Sequence, residues 1–406
     1  MGAAKPGAIK SLAIAAVTLA VAWQSYSFAL TPNLRRSAPE VVLNRNPSDA
    51  VALSKTIASK VKESGQYVTH PKDGKAAAQS LIDTPLSRSS LRILGFDHVR
   101  QGDKVNAARI MSLSNRVSRR DTWAQIWLLE EAARAENFAA ILSHFHAALS
   151  VKPELAQALN PILVSATRFP EVRLALRPYL RQNAPWASGY LTEASARAGI
   201  SDVSEAVLPV AHHLAGDAYV PAMSQIIYRL AADGRLDEAM SLAGTVWHDF
   251  DRQAFAGFAP EIVNSDPRLG KLAWGYGSEG GISSRLAGEG AIEVTFSPLS
   301  RGLAVSRTIP LKRTGNYSFT QRVEITGSSP PSQLRWQAQC ISGAAQEGAE
   351  IIWQQALPLT KDVATYRSTV AVPEGCNLLM LSLYGTGPER QTEAAVILSD
   401  MQLERM

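Results

Sequence analysis

With 406 residues, 46% of them hydrophobic and 19% charged, the chain has room for two or three domains with at least one sizeable core, and its composition excludes extended disorder. The formal net charge of +5 is unevenly spread: Lys and Arg lead Asp and Glu by 18 to 7 over residues 1–120, trail them by 10 to 16 over 121–264, and balance at 13 to 13 over 265–406. No basic face runs through a folded region beside a recognisable reading motif, so nucleic acid is excluded as an expected partner.

A short basic N-terminus, 1–10, carries Lys5 and Lys10, and "SLAIAAVTLAVAWQSYSFAL", 11–30, follows without a charge. Its strongly apolar part, Leu12 to Trp23, is short for a span of about 20 residues, and Trp23, Tyr26 and Phe28 extend it with rings suited to a membrane boundary. The segment reads as a retained transmembrane anchor; a signal peptide cleaved after Ala29 is the other reading. Either exports the rest of the chain. Residues 31–74 are a basic segment in which 44–64 has the pattern of one or two helices, and "GQYVTHPKDGK", 65–75, reads as an exposed loop.

From 75 to 263 the chain is rich in Ala and Leu at helical spacing. One pattern recurs, in "VRQGDKVNAA", "ARAENFAAIL", "TRFPEVRLAL", "ARAGISDVSEAV" and "AADGRLDEAM", with spacings of 34, 34, 29 and 35 residues. Each recurrence falls where one helix should end and the next begin. Gly102, Gly199 and Gly234 suit the left-handed residue that closes a helix, and Ala107, Ala140 and Ala239 suit close packing just after it. "LRILGFDHVRQGD" and "YRLAADGRLDEAM" resemble tetratricopeptide repeats, with degenerate copies between them. A repeat solenoid of this kind presents an extended surface for a protein partner.

"WGYGSEGG", 274–281, contains a literal G-x-G-x-x-G. A dinucleotide loop needs a strand before it and a helix after it. Here helices and the Pro- and Gly-containing linker "NSDPRLG", 264–270, precede it, and "ISSRLAGEGAIEVTF", which alternates like strands, follows. The glycines therefore read as turns between strands, and no cofactor is expected. Strands are predicted at 290–296, 301–310, 315–326, 332–341, 349–357, 363–372, 377–384 and 393–404, which makes 264–406 an all-β sandwich. In "LRWQAQC", Leu334, Trp336, Ala338 and Cys340 share one face, and Arg335, Gln337 and Gln339 share the other. Phe319, Gln321, Val323 and Ile325 likewise share a face. The chain's only cysteines, Cys340 and Cys376, would be joined as a disulfide in an oxidising compartment; reduced, they would be two small buried hydrophobes.

Catalytic and metal-binding patterns are sparse. His144 and His146, two apart on a helix, point roughly 200° apart, and the adjacent His212 and His213 splay similarly, so neither pair chelates one metal. "WHDFD" gathers His248, Asp249 and Asp251 without a placed nucleophile. No G-x-S-x-G, H-E-x-x-H or P-loop is present, and the chain is expected to be no enzyme and to hold no metal. The aromatic residues of the β region, Trp274, Tyr276, Tyr317, Trp353, Tyr366 and Tyr384, can offer flat rings to sugars, with Arg335, Gln337 and Gln339 as polar support; the same rings also build sandwich cores. From these, Trp274, Tyr276, Arg335, Gln337, Gln339 and Trp353 are the candidate glycan contacts.

The opening W-x-x-G of Trp274 to Gly277, the "LRW…C" strand, "VPEGC" and the closing "ILSDMQLE" together resemble jelly-roll domains of the carbohydrate-binding-module or galactose-binding type. Behind a membrane segment and tetratricopeptide-like helices, this resembles exported bacterial proteins associated with exopolysaccharide or O-antigen assembly. The resemblance implies a multidomain α + β chain, anchored by a single pass in the inner membrane with its bulk in the periplasm. It implies a non-enzymatic scaffold role in surface-polysaccharide biosynthesis or export, with a protein partner on the repeats and glycan on the sandwich. A glycan-active enzyme with an appended binding module and a structural adaptor that binds no sugar are the alternatives.

Overall fold

A computed structural model of the chain describes residues 29–64, 69–250, 267–288, 290–341, 350–359, 363–389 and 392–406, together with 18, 21, 24–26 and 255. Most of 11–30 lies outside them, and among the described residues no helix is long and apolar enough to cross a membrane. The chain divides into two compact units, Met1–Leu155 and Ala156–Met406.

In the first unit, residues 29–37 are helical and are followed by α1 (Pro39–Arg45), α2 (Ala50–Ser64), α3 (Pro71–Asp83), α4 (Arg88–Arg100), α5 (Lys104–Val117), α6 (Thr122–Arg134) and α7 (Phe138–Val151). Residues 71–75, expected in a loop, open α3. Pro71 needs no N–H partner in the first turn, and the Asp73 carboxylate accepts the His70 N–H at 2.8 Å, closing a capping box. Gly74 then lets α3 lie against the Asp97 side chain, which a Cβ there would strike. Helices α4 to α7 make two hairpins of matching construction. Ser87, Asp103, Asp121 and Asn137 each accept a backbone N–H three residues on, capping α4, α5, α6 and α7. At the hairpin turns Gly102 (φ 78°) and Glu136 (φ 52°) are left-handed, and the next amide in each bonds back to His98 and Ala132 respectively. Leu53, Ile57, Ala77 and Ile93 form one core cluster, and Ala107, Met111, Ala124, Trp127 and Leu128 form another.

The second unit begins with α8 (Ala156–Ala166), α9 (Pro170–Arg181), α10 (Ala187–Arg197), α11 (Ile200–Val207), α12 (Val220–Ala232) and α13 (Leu236–Val246). All five recurrences of the sequence pattern therefore fall at helix–helix turns, across both units. Two details differ from expectation. Gly199 has φ −57° and precedes α11 in extended backbone, so it is no left-handed closer. His212 and His213 do not splay: they sit in a 3₁₀ turn with ring centroids 3.9 Å apart.

Among the described residues ten strands follow: β1 (Trp274–Tyr276), β2 (Ile282–Leu286), β3 (Ile292–Phe296), β4 (Arg301–Pro310), β5 (Gly315–Ile325), β6 (Gln333–Ile341), β7 (Ile351–Ala356), β8 (Ala364–Val372), β9 (Leu378–Thr386) and β10 (Ala394–Arg405). They form two five-stranded sheets, ordered β1-β4-β9-β6-β7 and β2-β3-β10-β5-β8, and every ladder between named strands is antiparallel. The eight strands expected from the sequence are all present. β1 and β2, three and five residues long, are too short for alternation to set them apart as strands of their own. The sandwich core joins the sheets through Trp336 and Phe319, whose rings meet edge to face at 5.3 Å. Cys340, near the end of β6, and Cys376, two residues before β9, are disulfide-bonded with a Cα–Cα distance of 5.5 Å.

The glycines of 274–281 divide between two tasks. Gly275 lies within β1 rather than in a turn, where a Cβ would approach the Ser306 hydroxyl to 2.6 Å; at Gly277 it would meet the Leu303 carbonyl at 2.5 Å. Close approach to β4 therefore requires both. Gly280 and Gly281, at φ 64° and 79°, make the turn into β2.

The helices and the sandwich of this unit are joined by side chains. Asn377 donates to the Ala232 carbonyl at 3.0 Å, and Ser224 donates to the Arg268 carbonyl at 2.5 Å. Arg268 forms a two-pronged pair with Asp249 at 2.6 and 3.1 Å and stacks over Trp247. Of the linker expected at 264–270, the described residues 267–270 belong to a 3₁₀ turn, Pro267–Leu272, in which Leu269 and Leu272 are buried.

Candidate functional site

Strand register decides which side chains share the outer face of the first sheet. Tyr384 on β9 stands between Leu303 on β4 and Arg335 on β6, and the row continues to Ala356 on β7. The adjacent row holds Arg301, Thr386 and Gln333; on the other side lie Ser306, Ser382, Gln337 and Gln354. Arg301, Gly302, Gln333, Arg335, Tyr384, Gly385 and Thr386 line a cleft of about 350 Å³, within the usual size range of small-ligand sites.

Two backbone devices shape it. Ala304 is the extra residue of a bulge, since Leu303 pairs with Tyr384 while Val305 pairs with Leu383. Its carbonyl accepts the Gly277 N–H at 2.7 Å and the Ser284 hydroxyl at 2.6 Å, so no acceptor is left bare by the bulge. The bulge turns Arg301 and Leu303 to the outer face while Val305 and Arg307 point into the sandwich. Beneath Tyr384, Gly385 admits the Phe296 ring of the opposite sheet, which a Cβ would overlap. Tyr384 is consequently held on a tightly packed floor.

Of the six residues picked from the sequence, Arg335, Gln337 and Gln339 lie on this outer face, half-buried, in the phase expected. Trp274 and Trp353 do not. Trp274 is 5% exposed and pairs in register with the buried Arg307. Trp353 pairs with the inward Ala338 and packs its ring on Phe319 at 6.1 Å, closing the edge of the core. Tyr276 is also turned inward, beside Arg307; burial pushes its hydroxyl up to about 12 and pushes the Arg307 guanidinium down to about 9. Tyr317 and Tyr366 are engaged structurally, donating to the carbonyls of Arg313 and Pro358 at 2.5 Å. Arg301, Gln333 and Thr386 were missed. Gln333 and Thr386 stand two residues from Arg335 and Tyr384 on their own strands, so alternation could have found them; Arg301 lies on a third strand, and only register brings it to the same cleft.

The polar candidates elsewhere are structurally committed. His144 faces the Gln125 amide oxygen at 2.7 Å, and burial lowers the pKa of both His144 and His146. Asp249 pairs with Arg268, and Asp251 lies outside the described residues. Among the described residues no three His, Cys, Asp or Glu side chains gather to hold a metal ion. A second cleft, of about 390 Å³, lies among the helices and is lined by Pro161, Val164, Arg168, Arg197 and Asp202. There Arg197 is paired with Glu193 and Asp202 with Arg173.

No family model matches the chain, and no curated protein matches it. Solved structures do align with part of it. One is described as a family 4 carbohydrate-binding module: 14% identity, TM-score 0.28, covering 38% of this chain and 99% of its own. Another is a family 61 module in complex with β-1,4-galactotriose: 12% identity, TM-score 0.26, covering 39% and 98%. A third is a xylan-binding domain from Paenibacillus barcinonensis: 13% identity, TM-score 0.26, covering 36% and 91%. Similarity this low transfers no ligand to the present chain.

Proposed function

We propose that the chain is a non-enzymatic glycan-binding protein whose sandwich takes a saccharide on the outer face of the first sheet. The observation that carries this reading is Tyr384, a half-buried ring on a rigid strand, flanked in one cleft by the hydrogen-bonding groups of Arg301, Gln333, Arg335 and Thr386. A flat ring covers the C–H face of a pyranose, while amides, hydroxyls and guanidinium groups meet its hydroxyls. The row of Gln337 and Gln354 extends the same polar face along the strands by about 7 Å, which suits a chain of sugars better than one ring.

The wider reading belongs to the same proposal. An exported, membrane-tethered chain serving surface-polysaccharide assembly is supported by the charge-free segment 11–30 and by the disulfide, which persists in oxidising compartments. Helices holding a protein partner by screened charge are supported by the acidic excess over 121–264 beside the basic excess before it.

The test is retention of the full chain by a panel of immobilised polysaccharides. Tyr384→Ala is expected to lower affinity about tenfold, the equivalent of about 1.4 kcal/mol, with an unchanged unfolding midpoint. Retention of the full chain by no polysaccharide, or equal retention of Y384A, would overturn the assignment.

A further inference from the structure

The cleft is chemically one-sided. Two guanidinium groups, Arg301 and Arg335, flank the Tyr384 ring from adjacent register rows, and none of the residues lining the cleft is acidic. The three rows around it contain Arg, Gln, Ser, Thr, Tyr, Leu and Ala but no Asp or Glu. Five other arginines of this unit are matched to carboxylates: Arg173 to Asp202 and Glu205, Arg197 to Glu193, Arg235 to Glu238, Arg268 to Asp249 and Arg285 to Glu293. Among the described residues, Arg301 and Arg335 form no such pair. The Arg335 Nε is itself buried with no hydrogen-bond partner.

Two guanidinium groups facing one cleft that no carboxylate lines, one of them with a buried N–H that has no partner, give an anion a place there. A guanidinium presents a planar fork that matches a carboxylate with two parallel N–H···O bonds. Neutral sugars require neither a fork nor a positive field. We infer that the ligand is an acidic glycan carrying uronate carboxylates, with Arg301 and Arg335 binding the carboxylate groups and Tyr384 the sugar face. This rests on the glycan-binding reading above and narrows its substrate class. Two cations across the cleft, rather than one, favour a polymer with repeated carboxylates over a single acidic sugar.

The experiment uses the full chain and three polyuronates, polygalacturonate, alginate and hyaluronate, each beside its carboxyl-reduced neutral counterpart, with neutral glucan and xylan in parallel. At least one polyuronate should be retained and its reduced form not. Arg301→Gln and Arg335→Gln should each weaken binding about tenfold or more, as loss of a charge-assisted hydrogen bond does. Because the chain as a whole carries +5, Arg322→Gln on the exposed face of the other sheet controls for bulk attraction and should leave retention unchanged. Equal binding of a polyuronate and its reduced form, binding of neutral glycans only, or equal losses in R322Q, R301Q and R335Q would overturn the inference and leave glycan binding standing. Retention by no polysaccharide, acidic or neutral, would remove both. Circular dichroism of each variant separates lost binding from lost folding.

Discussion

Gln321 sits 2% exposed on a strand face otherwise filled by apolar side chains, and its Oε1 accepts the indole N–H of Trp336 at 2.8 Å across the two sheets. The pair lets a wholly buried Trp keep its donor satisfied, a condition that core tryptophans must meet. Gln321→Leu should destabilise the protein by about 1–3 kcal/mol, because the indole N–H is then orphaned in the core. Adding Trp336→Phe removes the orphan, so the double variant should lose less than the two single losses added together. Urea unfolding of the four proteins in the cycle checks this, and strictly additive losses would show that the bond contributes nothing. The same strand shows how far patterning reads at this scale. Alternation predicts the face of Gln321, but not that its amide has a partner on another strand.

At the element scale, four of the helix–helix turns close on one left-handed residue. Gly102 and Gly234, at φ 78° and 79°, take that conformation without strain, while Glu136 and Asn183 take it at 52° and 50° with a Cβ. Glu136 is exposed, and among the described residues its side chain makes no hydrogen bond or ion pair that its loss would sacrifice. Glu136→Gly should therefore raise stability by about 0.5–1 kcal/mol, and Gly102→Ala should lower it by about 1 kcal/mol. Thermal unfolding of each reads the sign directly; a loss in E136G would mean that unfolded-state entropy outweighs the relieved strain. The recurrent closing motif was visible in the sequence because its chemistry is local. Gly199 misled for the same reason: the residue permits a left-handed turn without requiring one, and its neighbours chose an extended entry into α11.

On the whole-molecule scale, α8–α13 and the sandwich share one unit, tied at Asn377–Ala232, Ser224–Arg268 and Arg268–Asp249. A fragment of 265–406 would expose Leu269 and Leu272, which are 4% and 1% exposed in the chain, and would strand Asn377 and Arg268 without their partners. Fragment 156–406 is accordingly expected to unfold cooperatively at a higher denaturant midpoint than 265–406. Equal midpoints and equal slopes would show that the sandwich stands alone.

The sequence by itself determined a helical region followed by a β region, eight of the strands in order, the inward faces of β5 and β6, and the reading of the glycines at 274–281 as part of a β region. Each follows from periodicity, caps and turns, which act over a few residues. It also singled out Arg335, Gln337 and Gln339 as one polar face, because alternation on a single strand is enough for that. Tertiary structure alone decided that Trp274, Tyr276 and Trp353 turn inward, since an aromatic ring on a strand fits core and surface equally well until its neighbours are known. It alone placed Arg301 and Gln333 beside Tyr384, through ladders joining β4, β9 and β6, strands that are distant in sequence. The bulge at Ala304, which aims Arg301 outward and Arg307 inward, exists only where those strands are paired, and so the cleft was absent from any reading of the strands one at a time.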